Sequence, residues 1–196
     1  MIDHESRQAG LYIHIPFCLS KCDYCSFYSV ESFQSISEFI QSLVQEMEFY
    51  KEFNLEFNTI YFGGGTPSLL SIEQISEILK SIYRFFKICS HSEITIEVNP
   101  SDLSFDYLKS LFRLGVNRLN IGIQSLDDYT LNVLGRRHKA KDGIEALVAA
   151  RKSGFENLGI DLIYGVHGQD IQQWQNTLNQ VLSFSPEHLS CYQLSL

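Results

Sequence analysis

Several short segments of this chain alternate apolar and polar residues one by one, and that period of two limits what they can build. In Ile94-Thr95-Ile96-Glu97-Val98-Asn99 one face carries Ile94, Ile96 and Val98 and the other Thr95, Glu97 and Asn99. Asn120, Gly122 and Gln124 alternate with Ile121 and Ile123, and Gly159 and Asp161 alternate with Ile160 and Leu162. Successive strand side chains point to opposite faces, so these are strands with one apolar and one polar side. The full set reads as six strands: Leu11–Ile15, Thr59–Phe62, Glu93–Val98, Arg118–Ile123, Leu158–Tyr164 and His188–Leu194.

Helical patterns lie between them. Ser35-Ile36-Ser37-Glu38 is a capping-box candidate opening an amphipathic run to about Phe53, and Ser71-Ile72-Glu73-Gln74 is a second, followed by Ile75, Ile78, Leu79 and Ile82 at helical spacing. Ser104 can cap a helix over Phe105–Leu114 that stops at Gly115; Ala140–Lys152 ends at Gly154, and Ile171–Phe184 ends before Pro186. Strand and helix in alternation predict an α/β fold with a parallel sheet and right-handed crossovers. A parallel sheet covered on both faces would read as continuous apolar runs. Here one face stays polar although a helical pattern follows each of the first five strands. The reading that satisfies both is a curved sheet, helices outside, with a polar, ligand-filled concavity inside: a partial barrel with its site at the strands' C-terminal ends.

The loop after the first strand holds Cys18, Cys22 and Cys25 in a Cys-x3-Cys-x2-Cys array, three of the five cysteines in the chain. Thiolates this close can ligate one metal centre, and iron–sulfur clusters are held by such arrays. Three ligands leave one position open, as a centre that binds substrate requires. A zinc knuckle would need a fourth ligand, and His14 is the only histidine nearby; a disulfide loop belongs to small secreted domains, and Met1–Gly10 carries no targeting pattern.

The other candidates fall at strand ends. Gly63-Gly64-Gly65-Thr66-Pro67 follows the second strand and is either a tight turn or a place where a ligand meets backbone. It is not a phosphate loop, since no Gly-Lys-Ser/Thr follows. Glu97 and Asp161 are carboxylates inside apolar strands, so each needs a partner, either a barrel-lining Arg or Lys or a ligand. Cys89 and Cys191 read as free thiols, and His14 as a packing residue inside the barrel. The length of 196 residues suits one domain, and no apolar run approaches the ~20 residues of a membrane span. A net charge of −8 argues against a nucleic-acid surface, although Arg136–Arg137 could meet an anionic ligand. The sparse cysteines point to a reducing, cytoplasmic setting.

The cysteine loop preceded by His14-Ile15-Pro16-Phe17, with Gly63-Gly64-Gly65-Thr66-Pro67 further on, resembles the radical S-adenosylmethionine (SAM) superfamily. Within it the chain is similar to the oxygen-independent coproporphyrinogen III oxidase-like family and its HemW-like heme chaperone branch, in consecutive blocks over nearly its whole length. The resemblance implies a partial (βα)6 TIM-type barrel ending near strand 6, a radical SAM core over residues 1–196 without the family's C-terminal domain. It implies that Cys18, Cys22 and Cys25 bind three irons of a [4Fe–4S] cluster whose fourth iron takes the amino and carboxylate groups of SAM. One electron would then cleave the C5′–S bond, giving methionine and a 5′-deoxyadenosyl radical. By the same resemblance Gly64, Gly65 and Thr66 hold the SAM amino group and its surroundings. Glu97, Gln124, Arg136 and Asp161 contact SAM, Tyr12 and Tyr24 line its site, and Ser195 adds a backbone contact. Arg137 competes with Arg136 for its place. No residue is given a catalytic role of its own.

Two positions depart from the family pattern. Phe27 stands where the oxidases proper carry a further cysteine, as in the chaperone branch, and His167 stands where the family usually has proline. The expectation is a cluster- and SAM-binding protein that binds and delivers heme, served by an electron-donor protein. The competing readings are a genuine coproporphyrinogen III oxidase and a non-catalytic, metal-binding remnant.

Overall fold

Six parallel strands lie side by side in sequence order: β1 (Gln8–Ile15), β2 (Glu56–Gly64), β3 (Lys87–Val98), β4 (Arg118–Gln124), β5 (Asn157–Tyr164) and β6 (His188–Gln193). The computed structural model describes residues 8–53 and 55–195. Within them each strand pairs only with its sequence neighbours, leaving β1 and β6 as edges of an open half-barrel. Helices α1 (Ile36–Tyr50), α2 (Ile72–Phe85), α3 (Phe105–Arg113), α5 (Ala140–Lys152) and α6 (Ile171–Leu182) make the crossovers. A short α4 (Asp128–Val133), not predicted from the sequence, adds a turn before α5.

The two-faced strands are sorted as their alternation requires. Ile13, Ile15, Ile60, Phe62, Ile94, Ile96, Val98, Leu119, Ile121, Ile123, Leu158, Ile160 and Leu162 form one core with Ile40, Ile75, Ile78, Ile82, Leu108, Leu111, Leu147 and Val181 of the helices. Full burial of such a side chain contributes about 1.5–3 kcal/mol, so this outer layer supplies most of the driving force. The other set of strand residues faces the concavity.

Local signals account for most helix ends. The Ser71 hydroxyl accepts from the Gln74 N–H and the Gln74 side chain accepts from the Ser71 N–H, the reciprocal box the sequence predicts; Ser104 caps α3 through the Tyr107 N–H. At Ser35 the prediction fails: its backbone (φ −102°, ψ 12°) is not the extended conformation a cap needs, and its side chain makes no capping bond. His167 lies in the turn before α6, whose cap is formed by Asp170 and Gln173.

β1, β2 and β3 all start earlier than their apolar segments. In β3 the register jumps from Phe57↔Ile88 to Thr59↔Glu93, so the residues between, Cys89 included, form an excursion whose polar composition hides the strand.

Candidate cofactor site at the strand ends

The cysteine loop is a closed excursion above β1. Phe17 bridges to Val30, the Cys18 N–H donates to the Val30 carbonyl (3.0 Å), and the Val30 N–H donates to the Pro16 carbonyl (2.7 Å). Phe17 anchors its base edge-on against Phe39, ring centroids 5.3 Å apart. Cys18 is buried, Cys22 and Cys25 are half-buried, all three are free thiols, and all line one cavity of about 730 Å³. Two donors already point at their sulfurs: the Thr66 hydroxyl at Cys18 (3.5 Å) and the Arg136 guanidinium at Cys22 (3.7 Å). No three Cys, His, Asp or Glu side chains among the described residues are grouped to share one ion. A zinc site needs all its ligands within about 2.0–2.3 Å of one metal, whereas cubane thiolates each take a different iron. The loop suits the cluster.

The glycine loop is stitched to the base of that excursion. The Gly65 N–H donates to Ile15 (2.8 Å) and the Thr66 N–H to Phe17 (2.7 Å). A Cβ on Gly65 would stand 2.6 Å from the Phe17 carbonyl oxygen, so only glycine lets the two loops meet. Gly64 has φ +114° with the His14 ring packed where its Cβ would be. Its N–H donates to Glu97 Oε2 (3.1 Å). With three successive N–H groups engaged, what this loop offers a ligand is carbonyl oxygen, an acceptor surface suited to an amine.

Neither carboxylate forms an ion pair among the described residues. Glu97 accepts from the Tyr61 hydroxyl (2.8 Å) and from Gly64, and burial still holds it above the usual carboxylate range. Asp161 Oδ2 accepts from the Asn120 amide (2.6 Å); burial raises Asp161 too, against the pull of Ser190 and Asn120. The nearby arginine Arg118 is paired with Glu93 (3.0 Å). Arg118 thus gives its ion pair to Glu93, and its charge acts on Asp161 only through space.

Arg136 and Arg137 are told apart. Arg137 is tied to Asp102 (3.0 Å), whereas Arg136 donates to the Gly122 carbonyl (2.7 Å) and reaches Cys22 and the Tyr24 hydroxyl (3.4 Å). Burial pushes the Tyr24 phenol up to about 12. Gln124 ends β4 in the left-handed region (φ 61°) and is 8 % exposed. Ser195 lines the cavity rim and so does Phe27, which is 67 % exposed. Tyr12 is displaced from this cavity: it stacks on Tyr61 and donates to or accepts from His14 Nδ1 (3.2 Å) beside a second, apolar pocket along α1. His14 also bonds the Tyr28 carbonyl (3.1 Å), which makes it a strut under the loop.

Five buried polar atoms of residues lining the cavity, Ser29 Oγ, Arg118 Nε, Gln124 Oε1, Arg136 Nε and Asp161 Oδ1, have no hydrogen-bond partner among the described residues. The large majority of buried side-chain polar atoms are normally paired, so five orphans around one cavity mark a place built for a ligand. Sequence reasoning missed Asn120 and Tyr61, which hold the two carboxylates; the polar face of β4 was a signal for the first.

Parallel strands in sequence order, a three-thiol loop after the first and a glycine loop after the second define a cofactor-dependent half-barrel. A model of the Radical SAM superfamily matches residues 12–181, and the chain belongs to that superfamily. It is 43 % identical over 188 residues to the heme chaperone HemW of Bacillus subtilis (93 % of this chain, 49 % of that protein). It is 36 % identical over 192 residues to the HemW of Synechocystis (94 % and 47 %). The structure of the Escherichia coli coproporphyrinogen III oxidase HemN, a radical SAM enzyme, superposes with a TM-score of 0.88 at 30 % identity, over 95 % of this chain and 44 % of that one. The chain thus spans about half the length of the relatives it matches. No helix among the described residues is long and apolar enough to cross a membrane.

Proposed function

We propose that this chain holds a [4Fe–4S] cluster on Cys18, Cys22 and Cys25 with SAM beside it, and that it serves heme binding and delivery, a role in keeping with the name heme chaperone that its HemW relatives carry. The observation that carries the reading is one cavity in which three free thiols meet two carboxylates that form no ion pair among the described residues and five unpaired buried polar atoms. Bound together, the two cofactors supply reductive cleavage of SAM to methionine and 5′-deoxyadenosine, at the expense of one electron and one hydrogen atom.

The residues divide the work of binding. Glu97, held by Tyr61 and Gly64, and the glycine-loop carbonyls face an amine. Asp161 Oδ1 and the Gln124 amide are free for ribose or adenine edges. Arg136 places a fixed positive charge between the cysteine loop and β4, suited to a carboxylate and to cluster sulfur. Tyr24, packed on Leu134, Ile163 and Val166, closes one wall to water. An electron-donor protein supplies the electron.

Phe27 at the place of the oxidases' extra cysteine weighs against coproporphyrinogen III as substrate. The test is anaerobic incubation of reconstituted protein with SAM, reductant and coproporphyrinogen III, alongside an absorbance titration with heme. Formation of 5′-deoxyadenosine and saturable heme binding without protoporphyrinogen IX is the expected outcome. Stoichiometric protoporphyrinogen IX would make it an oxidase.

A further inference from the structure

Gln124 sits in an unusual piece of backbone. The Ser125 N–H donates to the Ile123 carbonyl two residues back (2.7 Å), closing a three-residue turn whose central residue, Gln124, has φ 61°. Turns of this hand are rare and strained for a residue with a side chain, and persist only when their surroundings impose them. The β4–β5 ladder is interrupted here, with a register shift between Ile121 and Gln124, so the carbonyls of Gly122 and Ile123 look outside the sheet for partners.

The segment after α4 supplies both. Arg136 donates to Gly122, and His138 Nε2 lies 3.0 Å from the Ile123 oxygen. A carbonyl can only accept, so the His138 proton is on Nε2; Nδ1 is then bare, buried and without a partner among the described residues. His138 is 2 % exposed, and burial, with Arg136 nearby, pushes its pKa down to about 4. A buried imidazole with one satisfied nitrogen is costly to keep, and the one bond it makes is to the strained turn.

We propose that His138 is a positioning residue for SAM: by binding the Ile123 carbonyl it locks the Gln124 turn and so fixes the Gln124 carboxamide in the cavity wall. This rests on the SAM-site reading above and adds to it a residue that touches neither SAM nor the cluster. His138 works through Gln124, so its effect on binding exists only while the Gln124 side chain is there to be placed.

The experiment is a double-mutant cycle on reconstituted protein, with the SAM dissociation constant read by equilibrium dialysis and iron content measured on each sample. His138→Ala and Gln124→Ala each weaken SAM binding about tenfold, or about 1.4 kcal/mol, with iron retained. The double variant is no weaker than Gln124→Ala alone within about twofold, because coupled residues are non-additive. His138→Gln, which keeps a side-chain N–H donor, recovers most of the loss and covers the case in which His138→Ala folds poorly. Wild-type affinity in His138→Ala, or losses that multiply in the double variant, would overturn the inference. If wild-type protein itself fails to bind SAM, the reading it rests on falls first and the inference with it.

Discussion

On β4, Leu119, Ile121 and Ile123 point outward, are fully buried and meet helix side chains, while Asn120, Gly122 and Gln124 point inward from the same backbone. The outward row satisfies every ordinary rule of a protein core. The inward row breaks several: a left-handed glutamine, an orphaned amide oxygen and, next door on β5, a half-buried carboxylate without an ion pair among the described residues. The difference separates what folds the chain from what the fold is for. One face gains stability, and the other gives some up so that polar groups stay available to a ligand.

The sharpest way to break this division is to remove a thiol. Cys18→Ala, Cys22→Ala or Cys25→Ala should take iron and sulfide from about four of each per chain to none, whereas Cys89→Ala and Cys191→Ala should leave both unchanged by chemical assay. Next comes the outer row. Ile121→Ala or Leu119→Ala should cost about 2–5 kcal/mol in urea unfolding, the usual penalty for emptying a core site.

The inner row is tested by pH. His138 falls from the ordinary 6.5 to about 4 on folding, so between those values the unfolded chain binds the proton and the folded chain does not. Stability therefore drops as pH falls through that window, by up to about 3 kcal/mol at about 1.4 kcal/mol per unit, and His138→Gln should remove that slope. Asp161 has the opposite sign. Its folded-state pKa is raised by burial, so its charge destabilises above that value and the cost is relieved as pH falls through it. Asp161→Asn should thus match or exceed wild-type stability at pH 7, with the gap closing on acidification. It should also weaken SAM binding about tenfold, roughly 1.4 kcal/mol, by dialysis.

Much of this was legible in the residues, for reasons that also mark the limit. The period of two in Ile94–Asn99 exposed both rows of β3, because burial on one side leaves no choice of register. The thiol array and glycine loop announced themselves through spacing. By contrast α4 covers only Asp128–Val133, too short for a helical period to emerge, and Ser35 has a capping residue's chemistry without its backbone. The glycine triplet leaves a tight turn and a ligand contact both open in the sequence, and what could not be read there is that His14 and Phe17 take the space a Cβ would fill at Gly64 and Gly65. His138 and Asn120 act across the sheet end, and pairings between residues far apart in sequence leave no local pattern.

The central claim is that the inward row holds SAM against a cluster on the cysteine loop. It is tested most directly by electron paramagnetic resonance of the reduced, reconstituted protein before and after SAM is added. The account predicts a SAM-dependent change in the wild-type cluster signal that disappears in Glu97→Ala and Asp161→Ala while their iron content stays near wild type. A cluster signal indifferent to SAM in the wild type, or loss of iron in the two carboxylate variants, would contradict it.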